Sequence, residues 1–460
     1  MPFDRVRKLN SAEEGKKGSY VLYWAQVNRR VECNHALSFA VDRANHLNLP
    51  VLSYEGLSCS YPQANDRFHT FLIEGAQETA RRLRALGIGY VFHLRRRRSD
   101  PDDALYRLAA NAAALITDDY PGFLAREHNR SVPHKLAIPY YSVDSSCIVP
   151  MSYFTKQEYA AYTIRPKINR ALAACLRAVP PLPVGRRYSG ASSELHTEVT
   201  EANIAELVAS CEIDHSVAPS TDIRGGRDQA EGRLRHFLDH DLRRYARLSR
   251  EPSARATSGL SPYLHFGHMS SLEVALAVRE HAAKHKLIAD EFLEELIVRR
   301  ELAFNFAHFS PSLDSLDALP NWARATLAKH DRDQRDHIYT REQFERAETR
   351  DALWNATQTE LLTRGVIHGY YRMYWGKKIM EWSATHEDAL ATMIYLHDRY
   401  ALDGRDPNTY ANILWCFGLH DRPWSERPIF GMTRYMTIEG MRRKTDVDAY
   451  IREVTQGRLL

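Results

Sequence analysis

Along the N-terminal third of the chain, short apolar runs alternate with amphipathic stretches. Ser19–Gln26, Leu49–Leu57, Ile88–Leu94, Ala113–Asp119 and Ile138–Ser146 read as strands, with helical periodicity in Asn34–Leu47 and Arg67–Leu86 between them. This alternation predicts a mostly parallel sheet covered by helices on both faces. No Gly-x-Gly-x-x-Gly follows any strand, so the pattern names no ligand for the strand ends. From about Ala178 to Gly226 the sequence turns rich in Pro, Gly and Ser, as an irregular linker does, with a short helix near Glu201–Ser210. Beyond Arg227 the period becomes 3.6: Asp228–Leu248, Leu272–His285, Asp290–His308, Leu353–Leu362, Val366–Trp382 and Glu387–Tyr400. The expected architecture is α/β plus all-α. A Rossmann-like domain (residues 1–177) leads through a linker (178–226) to a helical domain (227–460).

Composition narrows this only slightly. A chain of 460 residues, 44% apolar and 26% charged, is a folded protein of more than one core. A net charge of +4 permits a polyanionic partner through a local patch without demanding one. The polar N-terminus precedes only a short apolar run, Tyr20–Trp24, so no secretory or membrane-spanning segment is expected. Six scattered cysteines without a CxxC pair predict reduced thiols, no zinc or other metal site, and a cytoplasmic location. The run Arg95–Arg98 reads as a solvated face.

Candidate chemistry concentrates in the helical part. Tyr395–Met436 packs Asp403, Arg405, Asp406 and Asn408 around Gly404 and Pro407, with Trp415 and Trp424 between apolar runs. That is the manner of a site for large planar groups beside a nucleic-acid surface. Six of the seven tryptophans follow residue 320. Trp375 and Trp382 are seven apart on one predicted helix, about 10 Å along its axis, and Trp354 lies on the preceding one. Such indoles fill cores, or relay electrons if a redox cofactor is near. Thr257–Gly267 offers small hydroxyls and free amides before a helical turn, a phosphate cradle or an ordinary cap. Glu295, on a strongly apolar helix, needs either an arginine partner or a ligand. Arg372 is placed to pair with Asp403. Arg422, Trp424, Arg427, Arg434, Arg442, Arg443 and Lys444 interleave base-stacking and phosphate-gripping groups, with Asp421, Glu426, Asp446 and Asp448 among them.

In order, SGLSPYLHFG, EELIVRREL, LWNATQTELL, HGYYRMYWGKKIMEW, YLHDRYALDGRDPN and ERPIFGMTRYM resemble the class II cyclobutane pyrimidine dimer photolyases of the photolyase/cryptochrome superfamily. YWAQVNRRVECNHAL and EYAAYTIRPKI (Glu158–Ile168) extend the resemblance over nearly the whole chain. It implies a lyase that binds FAD, reduced and anionic when active, in its helical domain. Light would drive one electron from the flavin to a dimer flipped out of double-stranded DNA and back again. Tyr245, Thr257, Ser258, Gly259, Leu260, Ser261, Arg372, His397, Asp403 and Asp406 would lie against FAD. Glu295 would bond the dimer's carbonyl edge, with Met373 and Trp415 packed on the flipped bases. Arg250 and Arg434 would hold flanking phosphates, and Arg422 and Trp424 would fill the hole in the duplex. Trp375, Trp354 and Trp382 would relay electrons to oxidised flavin, proximal to distal. The resemblance fits a monomer, and an antenna pigment (a deazaflavin or a folate) or an empty antenna site.

The chain departs from the family pattern at four places. His397 stands where Asn is usual, and its titration near neutrality is expected to make flavin photoreduction pH-dependent. Gly259 replaces an Asn in the cradle, Asn408-Thr409 replaces Asn-Gly, and the loop Phe417–His420 is one residue short. Two other readings stay open: a cryptochrome-like blue-light receptor without repair activity, and a light-independent DNA-binding module with a vestigial pocket. The end of the sequence at Leu460, soon after the basic segment, speaks for repair over signalling.

Overall fold

In the computed structural model, which describes residues 4–13, 18–190 and 193–457, six strands form one sheet: β1 (Val6–Lys8), β2 (Tyr20–Trp24), β3 (Val51–Ser58), β4 (Gly89–Arg95), β5 (Ala112–Asp118) and β6 (Tyr140–Val143). Residues 1–3, 14–17, 191–192 and 458–460 lie outside the described residues. The strand order is β1-β6-β5-β2-β3-β4. All pairings are parallel except β1 on β6, which is antiparallel with Val6 opposite Val143. Every residue of β2 and β5 is buried, as strands covered on both faces must be. The polar N-terminal run gave no sign of β1. A three-residue edge strand, with two residues exposed, is too short to show a period.

Asparagine caps place the two helices expected between strands. Asn34 accepts from the Leu37 N–H and Asn65 from the Phe68 N–H, so His35–Leu47 and Asp66–Leu86 begin where the periodicity does. Asp118, at the carboxyl end of β5, accepts from the amides of Val27 (2.8 Å) and Asn28 (2.9 Å), which fixes the loop leaving β2. The Pro-rich stretch then runs along the open edge of β4. Thr197 N donates to Phe92 O at 2.7 Å and Phe92 N to His196 Nδ1 at 3.1 Å, so the edge is covered.

The remainder is helical, and two of its helices carry a π-helical turn. Arg227–His236 and Leu242–Leu248 flank the π turn Phe237–Asp241. Asp290–Leu293 and Arg300–Phe309 flank the π turn Glu294–Arg299. A 3.6-residue period cannot reveal these turns. Each lets one extra residue face the same side, and they occur preferentially at functional sites. No helix is long and apolar enough to cross a membrane, and no cluster of metal-ligating groups occurs, among the described residues. All six cysteines are free.

Buried arginines join the Asp66–Leu86 helix to the later helices. Arg67, 2% exposed, donates to Ala218 O (3.0 Å), Leu361 O (3.0 Å), Tyr400 O (2.9 Å) and Leu362 O (2.5 Å). It thereby caps the carboxyl ends of Ala352–Arg364 and His386–Tyr400 together. Arg405 turns away from the acids beside it and lies 3.8 Å from the ring centre of Phe68. Beside it Gly404 leaves no room for a side chain, since a Cβ there would meet His397 O at 2.5 Å.

Candidate functional site

Residues 397–406 form the floor of the site. Asp403 is buried and accepts on both oxygens from Arg372 Nη2, at 2.9 and 3.0 Å. Burial pushes its pKa up, but Arg372 and Ser261 hold it below the usual carboxylate range. The expected Arg372–Asp403 pair is thus present, and it ties the Gly369–Trp382 helix to the cradle. Arg372 Nε, also buried, has no protein partner.

His397 is buried. Its Nδ1 donates to Met393 O at 3.0 Å, its ring meets Trp375 edge-on at 4.9 Å, and its Nε2 has no protein partner. Burial, and then the Arg372 charge, push its pKa down to about 3. The expectation that it titrates near neutrality is therefore wrong. A fully enclosed imidazole beside a guanidinium stays neutral, with the proton on Nδ1.

Asp406 caps the Pro407–Trp415 helix. Its carboxylate accepts from Asn408 N (2.9 Å), Asn408 Nδ2 (2.8 Å), Tyr120 OH (2.9 Å) and His265 Nδ1 (3.2 Å). Burial opposes its charge, and His265 chiefly holds it ionised. A carboxylate offers about four acceptor positions, so Asp406 spends its capacity on protein donors and positions the site. Neither Tyr120 nor His265 was singled out from the sequence.

The cradle precedes the short helix Ser261–His265. Thr257, Gly259 and Ser261 are exposed, Ser258 half-buried and Leu260 buried. Gly259 has φ +63°, which glycine and asparagine both tolerate, so the departure there loses an amide and not the turn. A Cβ on it would lie 3.1 Å from Arg233 Nη1, which puts a cation the sequence reading missed against the cradle.

The tryptophan pair is the most regular feature. Trp375 and Trp354 are fully buried and stack at 6.1 Å with 5° between planes. Trp354 Nε1 donates to Trp375 O (3.0 Å) and Trp375 Nε1 to Gln358 Oε1 (2.9 Å). Trp382 is buried too, so it does not form the surface end of a relay. Its ring meets half-buried Tyr339 edge-on at 5.6 Å.

Glu295 lies in the π turn and is exposed, with protein atoms crowding its carboxyl. That crowding raises its pKa, with Glu294 and Glu291 adding and Arg299 and Arg250 opposing. Its neighbour Glu294 takes the arginines instead, Arg165 at 2.7 Å and Arg299 at 3.3 Å. Among the described residues Glu295 forms no ion pair, which leaves it for a ligand. The Tyr245 ring sits between Phe237 and Phe292, within the electrostatic reach of Glu295 and Arg250.

Half-buried Met373 follows Arg372 on its helix, and half-buried Trp415 ends the Pro407–Trp415 helix. The Arg434 guanidinium lies 5.1 Å from the Trp415 ring centre and 4.3 Å from that of Trp424, and Arg422 lies 5.0 Å from Trp424. Asp421 Oδ2 accepts from Trp424 Nε1 and Arg434 Nε, both at 3.3 Å. The basic–aromatic mixture expected for this segment is thus a layered stack, organised by an acid the sequence offered only as surface. Farther on, Arg442 pairs with Asp448 at 3.1 Å, as plain surface does.

The DNA photolyase family model matches residues 21–185. The chain is 40% identical over 450 residues to the deoxyribodipyrimidine photo-lyase of Methanothermobacter thermautotrophicus, with 97% of each chain covered. It is 37% identical to that of Arabidopsis thaliana, covering 95% of this chain and 90% of that one. The cryptochrome of Synechocystis sp. PCC6803 superposes with a TM-score of 0.72 at 16% identity, over 96% of this chain and 92% of that one. At that identity the superposition speaks for the fold alone.

Proposed function

The chain belongs to the DNA photolyase family, and from that premise we propose that it repairs cyclobutane pyrimidine dimers in DNA by light, as a class II enzyme with FAD. The observation that carries this reading is the buried Arg372–Asp403 pair beside His397 and the stacked Trp375–Trp354 pair. The unpartnered Arg372 Nε and His397 Nε2 there are buried polar atoms that suit a polar-edged ring system. FAD, bound and reduced, would supply on illumination the electron that opens the cyclobutane ring.

The protein's part is positioning. Arg372 and Asp403 would hold the ring edge, with His397 and Tyr245 against it. Thr257 to Ser261, with Arg233, would take the pyrophosphate through hydroxyls, amides and charge. Asp406 keeps its helix in register with the cradle through His265. Glu295, its pKa raised, keeps a proton on its carboxyl further towards neutrality and would donate it as a hydrogen bond to a dimer carbonyl. Met373 and Trp415 would pack on the extruded bases, Arg422 and Trp424 would fill the vacated duplex, and Arg250 and Arg434 would meet phosphates. Trp375 and Trp354 would carry electrons to oxidised flavin. Retention of Glu295 and of the Trp415–Arg434–Trp424 stack favours repair over a receptor role.

The test is illumination of the reduced protein with thymine-dimer duplex. Dimers lost in light and kept in darkness are expected; no light-dependent loss sinks the reading. Absorbance of the purified protein beyond that of flavin would reveal a deazaflavin or folate antenna, and sizing would check the monomer.

A further inference from the structure

Two tyrosines outside every group assigned so far stand exposed beside the Trp424 loop. Tyr162 is 65% and Tyr159 43% exposed, against 36% for Trp424 itself. Their rings meet at 6.4 Å and 62°, an open pair with a free face. Tyr159 is held, not loose. Its hydroxyl donates to Asp421 O (3.3 Å) and accepts from Trp322 Nε1 (3.1 Å), while its carbonyl accepts from His420 Nδ1 (2.8 Å). The same Asp421 fixes Trp424 and Arg434 through its carboxylate. Chain segments far apart in sequence therefore converge on one loop and present tyrosines beside the Arg434–Trp424–Arg422 stack. From 155 to 170 no acid is exposed, while Lys156 and Arg170 are, so this stretch sets no exposed carboxylate against a polyanion. Exposed aromatics that the fold goes to such lengths to fix mark a contact surface.

Resting on the repair reading, we propose that Tyr159 and Tyr162 form a stacking platform for the unpaired bases opposite the extruded dimer. Stacking on an aromatic face requires a base free of its own helix, and apart from the extruded dimer, which would pack on Met373 and Trp415, such bases arise only in the opposite strand. Trp424, entering the vacated space, is tied through Asp421 to the tyrosines that would receive them. The platform reads no sequence, because every base has a face to stack. Lys156 and Arg170 would meet the phosphates of the same strand.

The test compares affinities of wild-type protein, Tyr162→Ala and Tyr162→Phe for a thymine-dimer duplex and for the same dimer in a single strand. Tyr162 is exposed, so its truncation leaves fold and flavin photoreduction unchanged. Tyr162→Ala is expected to bind the duplex about tenfold more weakly, the single strand as wild type does, and Tyr162→Phe to restore the duplex affinity. A 2-aminopurine placed opposite the dimer should be quenched by wild type and less by Tyr162→Ala. Wild-type preference for the dimer duplex, with Tyr162→Ala indistinguishable or weakened equally on both DNAs, overturns the platform alone. Wild-type protein with no preference for dimer DNA overturns the repair reading and the platform with it.

Discussion

Substituting Arg67 by methionine removes four hydrogen bonds and a charge while keeping most of the aliphatic volume. The guanidinium is fully enclosed, and its pKa is pushed down by burial to about 10, which still leaves it charged at neutrality. A hydrogen bond to a charged group contributes about 1.5–3 kcal/mol, so the four together are worth roughly 6–12 kcal/mol gross. Dehydrating the guanidinium offsets several kcal/mol of that. Removing the guanidinium leaves the carbonyls of Ala218, Leu362 and Tyr400 without their donor, while Leu361 O keeps the Gly365 N–H, and the expected net loss is about 3–5 kcal/mol. At an unfolding entropy of about 2.1 cal/mol/K per residue, a cooperative chain of 460 residues would melt about 4 °C lower. The loss has an address. Tyr400 ends the helix that leads into Asp403 and Asp406, so flavin should dissociate before the sheet unfolds. Thermal melts followed in parallel by flavin fluorescence and by circular dichroism would show this, with Arg67→Met releasing flavin below its global transition. A variant melting with wild type by both probes would refute the idea that this arginine couples the Asp66–Leu86 helix to the helices proposed to hold flavin.

Flavin photoreduction should be flat between about pH 6 and 8, because the folded His397 titrates about 3 while an unfolded histidine titrates near 6.5. By the same sign, stability tied to its neutral form is complete above about pH 6.5 and is lost as pH falls toward 3; a photoreduction midpoint near 6.5 that vanishes in His397→Asn would overturn this. Repair yield per photon should fall as pH rises, since the raised pKa of Glu295 keeps its donated proton only to a limit. Glu295→Gln, a donor at every pH, should erase that slope, and a slope surviving in the variant counts against the role. Trp354→Phe breaks the 6.1 Å stack on Trp375 and should slow photoreduction at least tenfold, while chemically reduced protein repairs at the wild-type rate; equal losses in both assays would mean a packing defect.

The sheet was legible because its period is local. Buried β2 and β5 read as continuous apolar runs, and Asn34, Asn65 and Gly87 mark helix ends by their own chemistry. The Arg372–Asp403 pair could be anticipated from opposite charges in two motif segments. What escaped depended on distance in space. Arg233 approaches Gly259 from the Arg227–His236 helix, Tyr120 reaches Asp406 from the loop after β5, and neither leaves a spacing to count. His397 shows the limit most plainly. A sequence supplies the ordinary histidine pKa, but only enclosure and the Arg372 charge reveal that the ring is neutral.

Asp406 shows why cradle, floor and lesion wall act together. It caps the helix that ends at Trp415, holds His265 at the far end of the cradle helix, and takes the Tyr120 hydroxyl from the loop after β5. Moving any one of these moves the carboxylate, and with it the indole against which an extruded base would pack. Asp406→Asn keeps the size but turns one acceptor oxygen into a donor, so it can no longer satisfy the Asn408 amides, Tyr120 and His265 at once. It should weaken flavin retention and dimer-duplex affinity in parallel, about tenfold each for the loss of one or two bonds worth about 1 kcal/mol. Equilibrium flavin titration and dimer-DNA binding at saturating flavin separate the two effects. If flavin affinity fell while DNA affinity at saturating flavin stayed at the wild-type value, the carboxylate would serve the cradle alone, and the mechanical link to Trp415 would be gone.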